Sequence, residues 1–162
     1  MTLDEIFDTQ YALQPASPEI EKILNTHLRA DGYTHTMIYQ VVDDPTQIFM
    51  LLTKDGAWEV HHAIAEPGKN FISGLKIRQN DKPNPKFIAT AINLYQSRLS
   101  KGHAVRIVGT YEMWPTYQAV INRLVKNNAY IIDPVIDLDN MKSQVIKSRG
   151  KFEELTSTLV PY

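Results

Sequence analysis

Residues 58–64 read Trp58-Glu59-Val60-His61-His62-Ala63-Ile64, WEVHHAI, and the reading of this run decides the fold. On a strand, alternate side chains share a face, so Trp58, Val60, His62 and Ile64 point one way and Glu59, His61 and Ala63 the other. It is the third of three strand-like runs, after HTMIYQVV and TQIFMLLT, separated by DDP and KDG. The Asp55-Gly56 pair suits a two-residue hairpin turn, and the three runs are predicted to form an antiparallel meander.

Upstream, Ser17 followed by Pro18 is a helix start, and Ile20, Ile23, Leu24 and Leu28 recur on one helical face until Gly32 ends it. Residues 1–16 are expected to be an N-terminal arm that docks on another surface. Downstream, EPGKNFISGLKIRQNDKPNP is irregular. Asn84-Pro85 then repeats the cap-plus-proline signal, and Ile88, Ala91, Ile92, Tyr95 and Leu99 form a helical stripe that stops at Gly102. HAVRIVG reads as a strand. Pro115 opens a helix carrying Tyr117, Val120, Ile121 and Leu124, closed near Asn127 and Asn128, and AYIIDPVI is the last strand expected.

The order implies a single-domain α/β fold over residues 17–136, with a mixed, mostly antiparallel sheet flanked by helices. The two late strands and their helix read as one β-α-β unit. Residues 137–162 read as a C-terminal extension. Its basic run, Lys142, Lys147, Arg149 and Lys151, is flanked by Asp137, Asp139, Glu153 and Glu154 and reads as solvated surface.

Composition narrows the function classes. A hydrophobic share of 43% and a charged share of 22% are those of a globular protein. Seventeen basic against eighteen acidic residues leave a net charge of -1, which argues against general nucleic-acid binding. No apolar run approaches the roughly 18 to 20 residues of a spanning helix, and the acidic N-terminus lacks a signal-peptide pattern, so the expected setting is cytoplasmic and without membrane contact. With no cysteine there is neither a disulfide framework nor a thiolate metal site.

The layout resembles the GCN5-related N-acetyltransferase (GNAT) superfamily. AWEVHHAIAEPG resembles that family's fourth strand running into the pyrophosphate loop, and PTYQAVINRLVKNNAYII its late helix and strand. The phrase WEVH is also similar to GNAT-like proteins of tailed-phage genomes, some of them head-assembly or internal virion proteins. The resemblance implies acetyl-CoA as cofactor, a pantetheine contact along His62, Ala63 and Ile64, and phosphate donors at Gly68, Lys69 and Asn70. Glu59 would be the base and His61 its proton partner. The chain departs from the family's [RQ]-x-x-G-x-[GA] loop: EPGKNFISGLKIRQ puts Gly68 and Gly74 six apart and Glu66 where a basic or amide residue belongs. The family's proton-donating tyrosine falls on Leu124, which has no proton to give.

Two readings of Glu59 and His61 follow. As an acetyltransferase centre, the pair needs a pKa moved toward neutrality. As a satisfied polar pair at a sheet surface or interface, it needs none, and this is the reading adopted. A metal site has no third ligand at a recognisable spacing, since His61 and His62 face apart. His27, His35 and His103, near element ends, read as surface. There is no GxSxG elbow and no phosphate-loop spacing. Tyr111, Met113, Trp114 and Tyr117 group between a strand and a helix as core or interface. The expected function is therefore that of a degenerate GNAT-fold protein that binds other protein subunits and needs no cofactor. The resemblance implies phage structural proteins as partners, in the host cytoplasm or the virion; a regulator that binds a host protein fits the same residues.

Overall fold

The structure is a computed structural model that describes residues 9–65, 75–77, 85–127 and 130–148. Its elements in chain order are β1 (Leu13–Pro15), α1 (Pro18–Ala30), β2 (His35–Val41), β3 (Asp44–Lys54), β4 (Ala57–Ala65), β5 (Leu75–Ile77), α2 (Pro85–Leu99), β6 (Val105–Thr110), α3 (Trp114–Asn127), β7 (Tyr130–Ile132), β8 (Ile136–Leu138) and β9 (Met141–Ser148). All strands belong to one sheet of order β1-β2-β3-β4-β6-β9-β7, with β5 beside β4 and β8 beside β9. The fold is mixed α/β with a mostly antiparallel sheet, as the sequence predicts.

Local chemistry accounts for the element boundaries. Ser17 Oγ accepts from the Ile20 N–H at 3.3 Å, and Pro18 opens α1. Gly32, at φ +94°, lets the chain leave the helix while the Tyr33 N–H donates to the Leu28 carbonyl. Asp55 and Gly56 both have positive φ, 55° and 81°, the conformation of the tightest hairpin turn, and β3 and β4 pair in register from Lys54↔Ala57 to Gln47↔Ile64.

The sheet has two unlike faces. On one, α2 and α3 cover a large core that includes Phe49, Leu51, Trp58, Ile92, Tyr95, Val105, Ile107, Tyr117, Ile121 and Ile146. On the other, Leu24 of α1 meets Ile38, Ile48, Met50, Leu52 and Ala63. Strand β3 therefore contributes Phe49 and Leu51 to one side and Ile48, Met50 and Leu52 to the other. Burial on both faces explains why its sequence is a continuous apolar run instead of an alternating one.

Three expectations are corrected. The domain does not stop at Ile136: β9 lies between β6 and β7, antiparallel to both, with Ile146, Ser143 and Gln144 buried. The basic run thus begins on a sheet strand, where the Lys142 and Lys147 side chains stay 36% and 24% exposed; Arg149 and Lys151 lie outside the described residues. The strand's single buried large apolar residue, Ile146, is too little pattern to reveal it. For the same reason β6 and β7 are not neighbours, and the parallel contact is Trp58↔Val105, between β4 and β6. Finally, residues 13–15 of the supposed arm pair with β2, and Tyr11 is held on α2 by its N–H to Thr90 Oγ1 at 2.9 Å. That segment docks on its own fold. Residues 1–8 and the caps expected at Asn84 and Asn128 lie outside the described residues.

Candidate functional site

Strand β4 splits the predicted site residues between the two faces of the sheet. Glu59 and His61 are on the α1 side, and His62 is on the α2 side. Glu59 has a partner that sequence reasoning missed: Arg106 Nη1 of β6 donates to Glu59 Oε2 at 3.0 Å. His61 Nε2 is 3.5 Å from Oε1 of the same carboxylate. Burial alone would raise the Glu59 pKa. The hydrogen bond and charge of His61, together with those of Arg106, outweigh it and hold the carboxyl below its ordinary value. A general base for an amine needs the opposite shift, so the expected movement toward neutrality does not occur. Tyr33 stands edge-on to the His61 ring at 5.8 Å, and Lys54 Nζ lies 5.5 Å over Tyr33. The cluster is a half-buried set of compensated charges. One signal for Arg106 was in the sequence, an arginine alternating with Val105 and Ile107 in an apolar strand, which must find an acceptor or reach water.

His62 is a core residue, 3% exposed, packed between the Phe49 ring at 4.5 Å and the Phe87 ring at 5.2 Å. Its Nε2 meets Gln47 Oε1 at 3.0 Å, and Gln47 Nε2 donates to Asp44 Oδ2 at 3.0 Å. Because the Gln47 amide nitrogen is committed to a carboxylate, its oxygen must accept, and the proton sits on His62 Nε2. The side chain is therefore directed away from Glu59 and His61.

The other edge of β4 is the place where a ligand could enter, because β3 pairs the first edge along its length. On this second edge β6 runs parallel and meets β4 at Trp58↔Val105, after which the two strands part. The chain fills the gap itself. Tyr95 of α2 is 1% exposed, and its hydroxyl accepts from the Val60 N–H at 3.1 Å, flanked on the β6 side by the Val108 backbone. Burial pushes its pKa far above the ordinary tyrosine value. Farther along, β5 pairs with β4 at Ala63↔Ile77, Ile64↔Lys76 and Ala65↔Leu75. A pantetheine arm laid along His62, Ala63 and Ile64 would compete with that strand. Gly68, Lys69 and Asn70 lie outside the described residues. Tyr95→Phe is expected to cost about 1–2 kcal/mol by leaving the buried Val60 N–H without an acceptor. Denaturant unfolding and faster hydrogen exchange at Val60 will check it.

At the other end of β4, Trp58 anchors a basic cluster. The His103 ring stacks on the indole at 6.0 Å and 6°, the Arg98 guanidinium lies 5.1 Å over it, and the His35 ring is 6.2 Å away. His103 is buried, contrary to the surface reading. Burial first, then Arg98, Lys101 and His35, lower its pKa below 6.5. The unfolded chain thus binds this proton more readily than the folded one. The His103 contribution should be whole above pH 6.5 and should fall as pH drops through the interval between the unfolded and folded values. Melting temperatures recorded from pH 8 downward should decline, and His103→Gln should flatten the decline.

Among the described residues, no three His, Asp or Glu side chains come together to hold a metal ion. No helix among them is long and apolar enough to cross a membrane. The fold and site define a mixed α/β protein whose strand-parting slot is closed by its own side chains and backbone. Comparison with family profiles, with curated proteins and with solved structures returned no match.

Proposed function

We propose that this chain is a GNAT-like scaffold that binds other proteins and has given up acetyl transfer. The observation that carries the reading is the filled slot: Tyr95 takes the Val60 amide and β5 takes the Ala63–Ala65 edge, where a thioester arm would need free backbone groups. The GNAT-like part rests on the likeness of AWEVHHAIAEPG and PTYQAVINRLVKNNAYII to that family's strand, loop and late helix. Leu124, where the family has its proton donor, is a 5% exposed core residue, and the Glu59 carboxyl is held below its ordinary pKa by His61 and then Arg106. The phage virion or assembly setting rests on the likeness of WEVH to phage proteins.

Acetyl-CoA tests the reading directly. A ligand present at 100 times its dissociation constant stabilises the folded state by about 2.7 kcal/mol, a plain rise in melting temperature. The expected result with acetyl-CoA and with free coenzyme A is no rise. A saturable rise that disappears when Gly68, Lys69 and Asn70 are replaced together would overturn the proposal and restore the acetyltransferase reading.

A further inference from the structure

Helix α2 ends over a row of the sheet where basic side chains gather. His35, Thr53, Trp58 and Val105 pair in that row across β2, β3, β4 and β6. Gly102, at φ +86°, turns the chain after α2, and the His103 N–H donates back to the Arg98 carbonyl at 2.9 Å. The Trp58 N–H then donates to the Ala104 carbonyl at 3.0 Å, which ties the turn to β4. Backbone bonds thus hold the Arg98 guanidinium and the His103 ring on one indole, 5.1 Å and 6.0 Å from it.

These charges do not balance within the described chain. Arg98 is 7% exposed, and among the described residues no carboxylate pairs with it. The ionisable oxygen that acts on it is the Tyr39 phenol, which burial keeps neutral. Lys101 and His35 add positive charge around His103. Trp58 Nε1, Arg98 Nε and His103 Nδ1 are buried without a hydrogen-bond partner among the described residues. A buried guanidinium is costly unless an opposite charge meets it, and its contact with the indole face offsets only part of that cost. The edge of a guanidinium suits an oxyanion, because two parallel N–H groups match two oxygens. With Arg98 and Lys101 both cationic, a dianion balances the cluster where a monoanion would not. Trp58, Arg98 and His103 keep 4%, 7% and 8% of their surface, an opening that suits a small ion and is too narrow for a nucleotide.

We propose that Arg98 and His103 bind a free tetrahedral dianion, phosphate or sulfate, at the end of α2. The proposal goes beyond the protein-binding reading and uses neither Tyr95 nor β5, so either can fail without the other. Of the two tryptophans, Trp58 carries the cluster and Trp114 stacks on Tyr117 in α3. Titration of the isotope-labelled full chain with sodium sulfate at constant ionic strength should move the Trp58 indole N–H signal saturably and leave that of Trp114 in place. Phosphate should do the same, and acetate, a monoanion, should bind about tenfold more weakly. Arg98→Met should lower the sulfate affinity by about tenfold or more, while Lys22→Ala, exposed on α1, leaves it unchanged. Should Arg98→Met fail to fold, Lys101→Ala, at an exposed position, is expected to weaken binding by about threefold. Sulfate keeps its charge where histidine titrates, so its affinity should rise as pH falls from about 8 toward about 6. The dianion favours the protonated His103 that burial, Arg98, Lys101 and His35 disfavour, and His103→Gln should flatten the rise. An unmoved Trp58 signal, equal binding of acetate, or an affinity that neither Arg98→Met nor Lys101→Ala changes overturns the proposal.

Discussion

Gly109→Ala will destabilise the protein by about 3 kcal/mol, the upper range for forcing a methyl group into a packed core. A Cβ built on Gly109 lies 2.7 Å from Tyr117 Cδ2 and 2.9 Å from Cε2. Neither side can easily yield. Gly109 is in β6, held to Lys142 of β9, and Tyr117 is 1% exposed in α3, wedged into the main core. The absent side chain is what lets α3 approach the sheet. Denaturant unfolding of Gly109→Ala should show a lower midpoint. The double variant Gly109→Ala with Tyr117→Leu should cost less than the sum of the two single changes, because the smaller side chain removes the clash. Additive costs would show that the close contact is not what Gly109 serves.

Trp58→Ala is expected to cost about 4 kcal/mol, the range for deleting a buried aromatic side chain. The indole is 4% exposed and sits where β3, β4 and β6 meet, paired with Thr53 on one side and Val105 on the other. Beyond its buried area it supplies the surface on which Arg98 and His103 lie. Without it, the basic groups of Arg98 and His103 are left beside a cavity, and Glu59, the carboxylate of β4, is on the opposite face of the sheet. Trp58→Phe keeps an aromatic face and should recover much of the loss. Melting temperature for the three proteins, read at two pH values on either side of 6.5, will separate packing from charge. The Ala variant should be the most acid-sensitive. Equal stability of Phe and Ala at both pH values would show that the ring does not support the cluster.

How far the fold was legible differs from element to element. The three early strands, the Asp55-Gly56 turn and the helices at Pro18, Pro85 and Pro115 could be read because each is written locally, as alternation, a cap or a breaker. Strand β9 could not. Its partners β6 and β7 bury it from both sides in the sheet plane, so polar residues such as Ser143 and Gln144 are tolerated inside, Gln144 by donating to the Asp133 carbonyl at 2.9 Å. The pairing of residues 13–15 with β2 was hidden in the same way, since three residues ending in a proline carry no period.

The site divides along the same line. Alternation alone placed Glu59 and His61 on one face and Trp58 and His62 on the other, because a strand's period is a property of the backbone and needs no neighbour. The second partner that Glu59 takes beside His61, Arg106, comes from 47 positions later in the chain. Whether β4 offers a free edge was decided by Tyr95 and β5, which reach it only after the chain has folded back. Segment order and strand faces follow from short-range chemistry. Charge state and slot occupancy depend on groups far apart in sequence, and only the tertiary structure brings these within hydrogen-bonding distance.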